Sequence, residues 1–313
     1  MKKFLGSVLM AATVFISQSA MAVPYVTGDV FASIGDGKVD VYSSSGVFKQ
    51  TLNTGLGGFT TGSAFDTAGN FYVTAISASR ISKFDNNGVL ITSNFTTGQT
   101  FSFPESIVFD GTGNFYVGNA GAARIDKFSS AGAFIQSFAT LQNTDWIDLA
   151  ADQKTLIYSN EGSVIRKLDT ATLVDTVLVA NTGAATYAKR IRSNGDILMA
   201  LGNGNVQRYN GAGALQQTYT SGLGSVFALN LDPDGTSFWT GATGGQALRK
   251  IDIASGNTLT SFNATSGQLF GLAVFGEITV GNPPPTGVPE PGSLALVAAA
   301  LVLLGFSVRS RRA

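Results

Sequence analysis

Carboxylates, amides and aromatic rings are the side chains through which this protein could act on a ligand, because its 313 residues include no histidine and no cysteine. Histidine is the commonest metal ligand and the commonest general base near neutral pH, and cysteine would supply thiolates, disulfides or zinc sites. The candidates that remain are Glu105, Trp146, Asp148 and Asn160. Their oxygens could bind a cation such as Ca²⁺, and the indole could stack on a sugar ring. The sequence assigns no catalytic residue and no definite metal ligand.

Each candidate also has a structural explanation. Asparagine in a tight loop usually serves the turn itself, and charged residues where a strand begins are usually solvated. The aromatic residues Tyr187, Phe227 and Trp239 fall on apolar positions of a repeat, which favours core packing. No charge pair or metal-ligand spacing singles out a site, so the structural explanation is favoured over the binding one.

An internal repeat predicts the fold that positions these residues. The segment 65–73 (FDTAGNFYV) returns at 109–117 (FDGTGNFYV), 44 residues later, and each copy is followed by an Arg-Ile-x-Lys-Phe block. Weaker copies continue through the chain, and the first apolar residue of this second block falls at Val39, Ile81, Ile125, Ile165, Val206 and Leu248. A period of forty-odd residues with four strand-like segments is typical of a β-propeller blade.

The ends of the repeat region predict the number of blades. Residues 30–52 hold only the last three strands of a unit, whereas residues 270–275 form a lone first strand with no unit after it. If the C-terminal strand completes the N-terminal blade, the chain forms an all-β, six-bladed β-propeller with four strands per blade and no open sheet edge. The abundance of glycine and phenylalanine agrees with many short strands and tight turns.

Two series of charged residues follow the same period. Aspartates come directly after the predicted inner strands, at Asp66, Asp110, Asp152 and Asp232. We interpret them as turn residues whose carboxylates accept nearby backbone N–H groups. The segment 232–235 (DPDG) resembles the start of a calcium loop, but Thr243 stands at the twelfth position, where a bidentate acid is needed. A basic series is predicted to face the polar surface between blades: Lys83, Lys127, Lys167, Arg208 and Lys250.

The repeat resembles NHL-type repeats and the wider group of six-bladed secreted propellers. The resemblance is carried by residues 69–73 (GNFYV), Arg80-Ile81 and Phe84-Asp85. It implies ligand binding at one end of a central channel, and some related propellers are lactonases or lyases. Several such lyases resemble one another in using histidine, which this chain lacks. A lactonase-like site would require Glu105, Asn160 and Asp148 to gather around calcium.

The N-terminus predicts export. Lys2 and Lys3 precede the apolar stretch 4–16, and Ala20 and Ala22 occupy the two positions that a signal peptidase reads. We therefore predict a signal peptide at 1–22 with an N-terminal signal helix, followed by the propeller at 23–278.

The C-terminus predicts where the exported chain is sorted. Val288, Pro289, Glu290 and Pro291 precede an uncharged run at 292–308, and the basic residues Arg309, Arg311 and Arg312 follow. A helix over that run would be roughly 25 Å long, enough for a short membrane crossing. This order of motif, apolar helix and basic end resembles the PEP-CTERM sorting signal of Gram-negative bacteria. The resemblance implies that an exosortase-type peptidase processes segment 288–313; an ordinary tail anchor is the alternative.

These observations together predict an exported protein that is more a binder than an enzyme. A Pro/Gly linker at 279–287 separates the propeller from the sorting segment. Between Val23 and Val288 the 15 basic and 19 acidic residues give a balance of −4, which does not favour nucleic acid. The predicted role is binding or scaffolding at the cell surface or in an extracellular polysaccharide matrix, with polysaccharide or a surface protein as partner. A hydrolase-, lactonase- or lyase-like propeller with a carboxylate-bound cation is the alternative.

Overall fold

A computed structural model describes residues 23–265 and 268–277. The predicted signal peptide, linker and transmembrane helix lie outside these residues. One short 3-10 turn, η1 (Ile76–Ala78), accompanies the strands. In chain order the strands are β1 (Val30–Ser33), β2 (Lys38–Tyr42), β3 (Phe48–Asn53), β4 (Thr60–Phe65), β5 (Phe71–Ala75), β6 (Arg80–Phe84), β7 (Leu90–Thr92), β8 (Pro104–Phe109), β9 (Phe115–Asn119), β10 (Arg124–Phe128), β11 (Phe134–Ala139), β12 (Trp146–Leu149), β13 (Thr155–Ser159), β14 (Ile165–Asp169), β15 (Asp175–Val179), β16 (Thr186–Ile191), β17 (Ile197–Leu201), β18 (Asn205–Tyr209), β19 (Leu215–Thr220), β20 (Val226–Leu231), β21 (Ser237–Ala242), β22 (Ala247–Asp252), β23 (Thr258–Asn263) and β24 (Gly271–Val274).

The strands form six antiparallel sheets of four strands each. Blade 1 has the order β24-β1-β2-β3, and blades 2 to 6 take the following strands in groups of four, beginning at β4, β8, β12, β16 and β20. The inner strands of neighbouring blades contact one another around the complete ring. The protein is therefore a six-bladed β-propeller, as the repeat predicted.

The ring closes through the last strand of the chain. In blade 1 the innermost strand β24 pairs with β1, with Val274 opposite Val30 and Gly271 opposite Ser33. A Cβ atom added at Gly271 would lie 1.9 Å from the carbonyl oxygen of Thr61 in blade 2, so this approach requires glycine. The predicted completion of the N-terminal blade by the C-terminal strand is confirmed. Since every strand of the ring lies within segment 23–277, we expect this segment to fold on its own.

The hydrophobic core lies between the blades. Inner strands such as β4 and β8 are buried along their whole length, whereas the outermost strands, such as β11, expose most of their side chains. In one cluster Phe31 of blade 1 contacts Phe65 and Phe71 of blade 2, with ring centroids 5.0 and 4.8 Å apart. Burying each such side chain stabilises the fold by about 1.5–3 kcal/mol. The phenylalanine-rich repeat thus supplies the packing between adjacent sheets.

The recurrent aspartates stabilise the turn after each inner strand. Asp110 Oδ1 accepts the backbone N–H groups of Thr112 (2.9 Å) and Asn114 (3.0 Å). Asp66, Asp152 and Asp232 accept backbone N–H groups in the same way. The interpretation of this series as turn residues is confirmed.

In three blades this aspartate also joins an aromatic residue and a lysine, a trio that we call the turn-end unit. The units are Asp66, Tyr72 and Lys83 in blade 2, Asp110, Tyr116 and Lys127 in blade 3, and Asp232, Trp239 and Lys250 in blade 6. In blade 3, Lys127 Nζ lies 3.1 Å from Asp110 Oδ2 and donates to the Tyr116 hydroxyl at 2.8 Å. Three lysines of the basic series, Lys83, Lys127 and Lys250, are thus paired with an aspartate of their own blade.

Among the described residues, no helix is long and apolar enough to cross a membrane. The apolar run at 292–308 is outside that part of the chain, so the predicted transmembrane helix stays a prediction.

Candidate functional site

The six inner strands all begin at the same end of the ring, because each blade is a four-stranded meander that runs outwards from the centre. We call this end of the central channel the mouth. It is formed by the first residues of β4, β8, β12, β16, β20 and β24 and by the loops beside them. The turn-end units lie at the opposite ends of these strands.

Three carboxylates meet at the mouth, and we call them the mouth cluster. Glu105 is the second residue of β8, Asp145 directly precedes β12, and Glu161 lies between β13 and β14. One oxygen from each lies within 4.8 Å of the other two. Across residues 23–265 and 268–277 this is the one group of three or more acidic side chains placed to share an ion. The cluster draws on two blades, 3 and 4.

Burial makes the mouth cluster electrostatically costly. Glu105 is 4% exposed and Asp145 is 5% exposed, whereas Glu161 reaches solvent. Burial, reinforced by the carboxylate of Asp145, raises the pKa of Glu105 well above its usual range. Burial, reinforced by Glu161, raises the pKa of Asp145 to about 7. Asp145 Oδ1 is buried with no hydrogen-bond partner, so its charge is poorly compensated by the protein.

A buried lysine lies close to the cluster. Lys189 of β16 is fully buried, and its ammonium donates to the carbonyl oxygen of Trp146 and to the hydroxyl of Ser159, both at 2.7 Å. Burial lowers the pKa of Lys189 to about 7, although the charges of Asp145 and other carboxylates oppose this change. The expectation that charged residues at the start of inner strands are solvated is wrong for Glu105, Asp145 and Lys189. These side chains point into the packed ring, and the alternation of inward and outward residues along a strand does not by itself predict this.

Asp148 belongs to a second polar network and not to the mouth cluster. Asp148 Oδ2 accepts the backbone N–H of Ile191 at 2.7 Å, and burial raises the pKa of Asp148. Arg190 Nε donates to Asn230 Oδ1 at 3.1 Å. Burial raises the pKa of Glu277 to about 7, although Arg190 opposes this rise. These groups tie blades 4, 5 and 6 to the chain that leaves β24.

The predicted trio of Glu105, Asp148 and Asn160 is therefore not gathered at one point. Glu105 belongs to the mouth cluster, whereas Asp148 belongs to the network with Arg190. Asn160 Oδ1 accepts the backbone N–H of Gly162 at 3.1 Å, which is a turn interaction. The structure brings Asp145 and Glu161 to Glu105 instead. Binding of a ligand by Glu105, Trp146, Asp148 or Asn160 stays a prediction.

Every blade places an aromatic side chain at the mouth, within two residues of the start of its inner strand. The six are Phe59, Phe103, Trp146, Tyr187, Phe227 and Phe270. Ring centroids lie 4.4 Å apart for Phe59 and Phe270, and 4.5 Å apart for Tyr187 and Phe227. Phe227 links these pairs, since its centroid lies 6.2 Å from Phe270 and 5.5 Å from Trp146.

The exposure of these rings differs from the sequence-based expectation. Trp146, the aromatic expected to meet a ligand, is 4% exposed, and its indole N–H is buried without a hydrogen-bond partner. Phe59 and Phe103 are 44% and 55% exposed. Phe103 also has a φ of 54°, a left-handed conformation that is rare for a bulky residue. Sequence reasoning missed Phe59, Phe103 and Phe270; their shared position just before an inner strand was the available signal.

The chemistry of the mouth follows from these groups. The carboxylates supply hard oxygen ligands, which suit Ca²⁺ or a similar cation. The exposed rings supply flat apolar faces of the kind that stack on sugars or other planar surfaces. An unpartnered acceptor at Asp145 and an unpartnered donor at Trp146 stand on adjacent residues.

Comparison with known proteins identifies a sorting signal and a fold. The family model described as "PEP-CTERM protein-sorting motif" matches residues 287–312. The chain therefore carries a PEP-CTERM sorting motif, which implies export, membrane anchorage before processing, and processing by an exosortase-type protease. No curated protein matches the sequence significantly.

Two solved structures share the propeller fold. A chain of a nidogen/laminin complex matches with a TM-score of 0.64 and 16% identity, covering 78% of this chain and 97% of the other. The WD40 β-propeller domain of Doa1 matches with a TM-score of 0.59 and 12% identity, covering 78% and 81%. At these identities the likeness shows the fold alone. An exported surface protein with a β-propeller body is the class that motif and fold define.

Proposed function

We propose that this exported propeller is a non-enzymatic binding protein that holds an extracellular polysaccharide at its mouth. The observation that carries the proposal is the pair of unpartnered polar groups, Asp145 Oδ1 and the Trp146 indole N–H, beside a line of aromatic rings. A hydroxyl group can satisfy an acceptor and a donor together, and sugars combine many hydroxyls with apolar faces that stack on rings.

The positions of the exposed rings support a polymer rather than a small molecule. Phe59 and Phe103 belong to blades 2 and 3 and reach solvent at the mouth, where a chain lying across the channel could contact both. The PEP-CTERM motif implies export, which supports a role outside the cytoplasm, where such polymers occur. The sorted protein would then act at the cell surface or within a polysaccharide matrix.

Segment 23–277 and an oligosaccharide microarray with neutral, amino and uronic-acid glycans provide the test. We expect retention of one glycan class, with a loss of about tenfold or more in affinity for Phe103→Ala and Trp146→Phe. Phe48→Ala is the matched control, because this exposed ring lies on the outermost strand of blade 1. Equal binding by all variants, or no binding at all, would contradict the proposal.

A hydrolytic enzyme is the second candidate, on one observation. Asp145 and Lys189 both have a pKa near 7, within the range that suits general acid–base catalysis. A cation-dependent lactonase-like site was expected to collect carboxylates from three or more blades, whereas the mouth cluster draws on two. Turnover of a lactone or glycoside panel that is abolished by Asp145→Asn would favour this candidate over the binding one.

A further inference from the structure

The mouth cluster consists of carboxylates whose oxygens lie close together, as the ligands of a calcium site do. We propose that Glu105, Asp145 and Glu161 bind a divalent cation of the Ca²⁺ class, shared between blades 3 and 4. This inference deepens the proposed function and rests on it for the role of the mouth.

The mouth cluster gathers negative charge and includes a buried carboxylate oxygen without a hydrogen-bond partner. Three carboxylates stand together, yet Asp145 Oδ1 is buried in a side chain that is 95% covered and receives no hydrogen bond. A buried carboxylate oxygen without a donor is destabilising unless a cation or a proton meets it. Lys189 offsets this charge only in part, because its ammonium donates to Trp146 O and Ser159 Oγ rather than to Asp145.

The three ligand oxygens are close enough to share one ion. They lie within 4.8 Å of one another, and at Ca²⁺ bonds of about 2.4 Å adjacent ligands are roughly 3.4 Å apart and opposed ligands about 4.8 Å apart. Hard carboxylate oxygens suit Ca²⁺ or a similar cation, whereas zinc would favour the nitrogen or sulfur ligands that this sequence lacks. Water or sugar hydroxyls would complete the coordination shell.

The acidic residues of segment 232–235, which resembles the start of a calcium loop, differ from the mouth cluster. Asp232 and Asp234 lie close together, but Lys250 Nζ is 2.9 Å from a carboxylate oxygen of each. Asp234 also accepts the N–H groups of Thr236 and Ser237. The protein has thus already neutralised and hydrogen-bonded this pair, whereas the charge of the mouth cluster is offset only in part, by the nearby Lys189.

The proposal is tested by titrating segment 23–277 with Tb³⁺, a Ca²⁺ analogue whose emission is sensitised by a nearby indole. Trp146 directly follows Asp145 and serves as the sensitiser. We expect saturable emission that Ca²⁺ displaces, with Ca²⁺ affinity on the order of 10⁻⁴ M, as in extracellular calcium modules. Asp145→Asn and Glu105→Gln each weaken binding on the order of tenfold or more, and Glu161→Gln does so without touching the buried core.

Two controls separate the site from folding and from its sensitiser. Asp234→Asn leaves Tb³⁺ binding unchanged, since that carboxylate is outside the cluster. Trp146→Phe removes the emission but keeps the rise in melting temperature that Ca²⁺ produces. Emission that is unsaturable, insensitive to Ca²⁺, or equally strong in Asp145→Asn, Glu105→Gln and Glu161→Gln would overturn the proposal, as would its loss in Asp234→Asn.

The titration contains no glycan, so the two proposals fail separately. Tb³⁺ binding without any retained glycan would leave the cation site standing and remove the polysaccharide role. Retained glycan with no Tb³⁺ binding would do the reverse.

Discussion

The two ends of strand β8 carry one acidic residue each, and the protein treats them in opposite ways. At the turn end Asp110 accepts hydrogen bonds from the Thr112 hydroxyl, from Lys127 and from the Thr112 backbone N–H, and these lower its pKa despite burial. At the mouth Glu105 faces Asp145 and Glu161, and its pKa is raised. Asp110 is thus paired with a lysine of its own blade, whereas Glu105 lies beside two further carboxylates.

The contrast between the two ends distinguishes residues that stabilise the fold from residues that we propose to bind a ligand. The turn-end units recur in three of the six blades, 2, 3 and 6, as expected of a feature that stabilises a repeated turn. Within the part of the chain that the structure describes, a cluster like that at the mouth occurs once, between blades 3 and 4. A ring of equivalent blades does not require an acidic cluster between two of them, so we interpret this departure from the repeat as the binding site.

The largest expected effect on stability comes from disrupting the turn-end unit of blade 3. Asp110→Asn removes the charge that holds Lys127 and weakens the turn after β8, so we expect a loss of about 2–3 kcal/mol in the free energy of unfolding. Urea unfolding followed by circular dichroism measures this loss. Asp169→Asn, at an exposed turn aspartate, is the control and should cost less. No difference from the parent chain would show that the turn-end unit is not structural.

The same kind of change at the mouth should act in the opposite direction. Because the folded-state pKa of Glu105 is raised, the folded state holds its proton to higher pH than the unfolded state does. The contribution of Glu105 is therefore fully present below its unfolded pKa and is lost as pH rises through the folded value. In EDTA at pH 8, Glu105→Gln should therefore stabilise the protein, and at pH 4 it should have little effect. Destabilisation at pH 8 would contradict the contrast between the two ends.

Glu277 supplies a pH test away from the mouth. Burial raises its pKa to about 7, so its contribution is present below the unfolded value near 4.5 and is lost as pH rises to about 7. Arg190 and Asp148 are the charged groups that face it. Glu277→Gln should flatten this decline and raise stability at pH 8 by about 1 kcal/mol. Thermal melts across pH 4 to 8 check this, and an unchanged slope would reject the assignment.

The smallest expected effect on stability is at an exposed ring of the mouth. Phe103 is half exposed and has a strained φ, so Phe103→Gly should change the free energy of unfolding by less than about 1 kcal/mol. Its glycan binding should nevertheless fall, because the ring is lost from the binding face. A variant that loses both stability and binding would assign Phe103 to the core.

The repeat explains how much of the fold could be predicted. Residues 65–73 and 109–117 are nearly the same sequence, and the lone strand at 270–275 implied closure, so the blades, their number and the role of Asp66 and Asp110 all followed. Each depends on local patterns or on counting. The same logic predicted that Asn160 serves a turn, as its bond to Gly162 shows.

The mouth could be predicted only in part, because it depends on contacts between blades. Glu105 and Glu161 are distant in sequence, and the φ of 61° at Glu161 has no signature in its residue type. Asp148 and Asp145 look alike in the sequence, yet one hydrogen-bonds the backbone of blade 5 and the other joins the cluster. The depth of each side chain within the ring decides between these two roles, and that depth depends on how the sheets pack.

The central claim is that the mouth cluster, rather than any turn aspartate, is a ligand site. An anomalous-difference map from crystals of segment 23–277 soaked in TbCl₃ tests it most directly. The account predicts a peak bounded by Glu105, Asp145 and Glu161. A peak at Asp232 and Asp234, or no peak within coordination distance of Asp145, would contradict it.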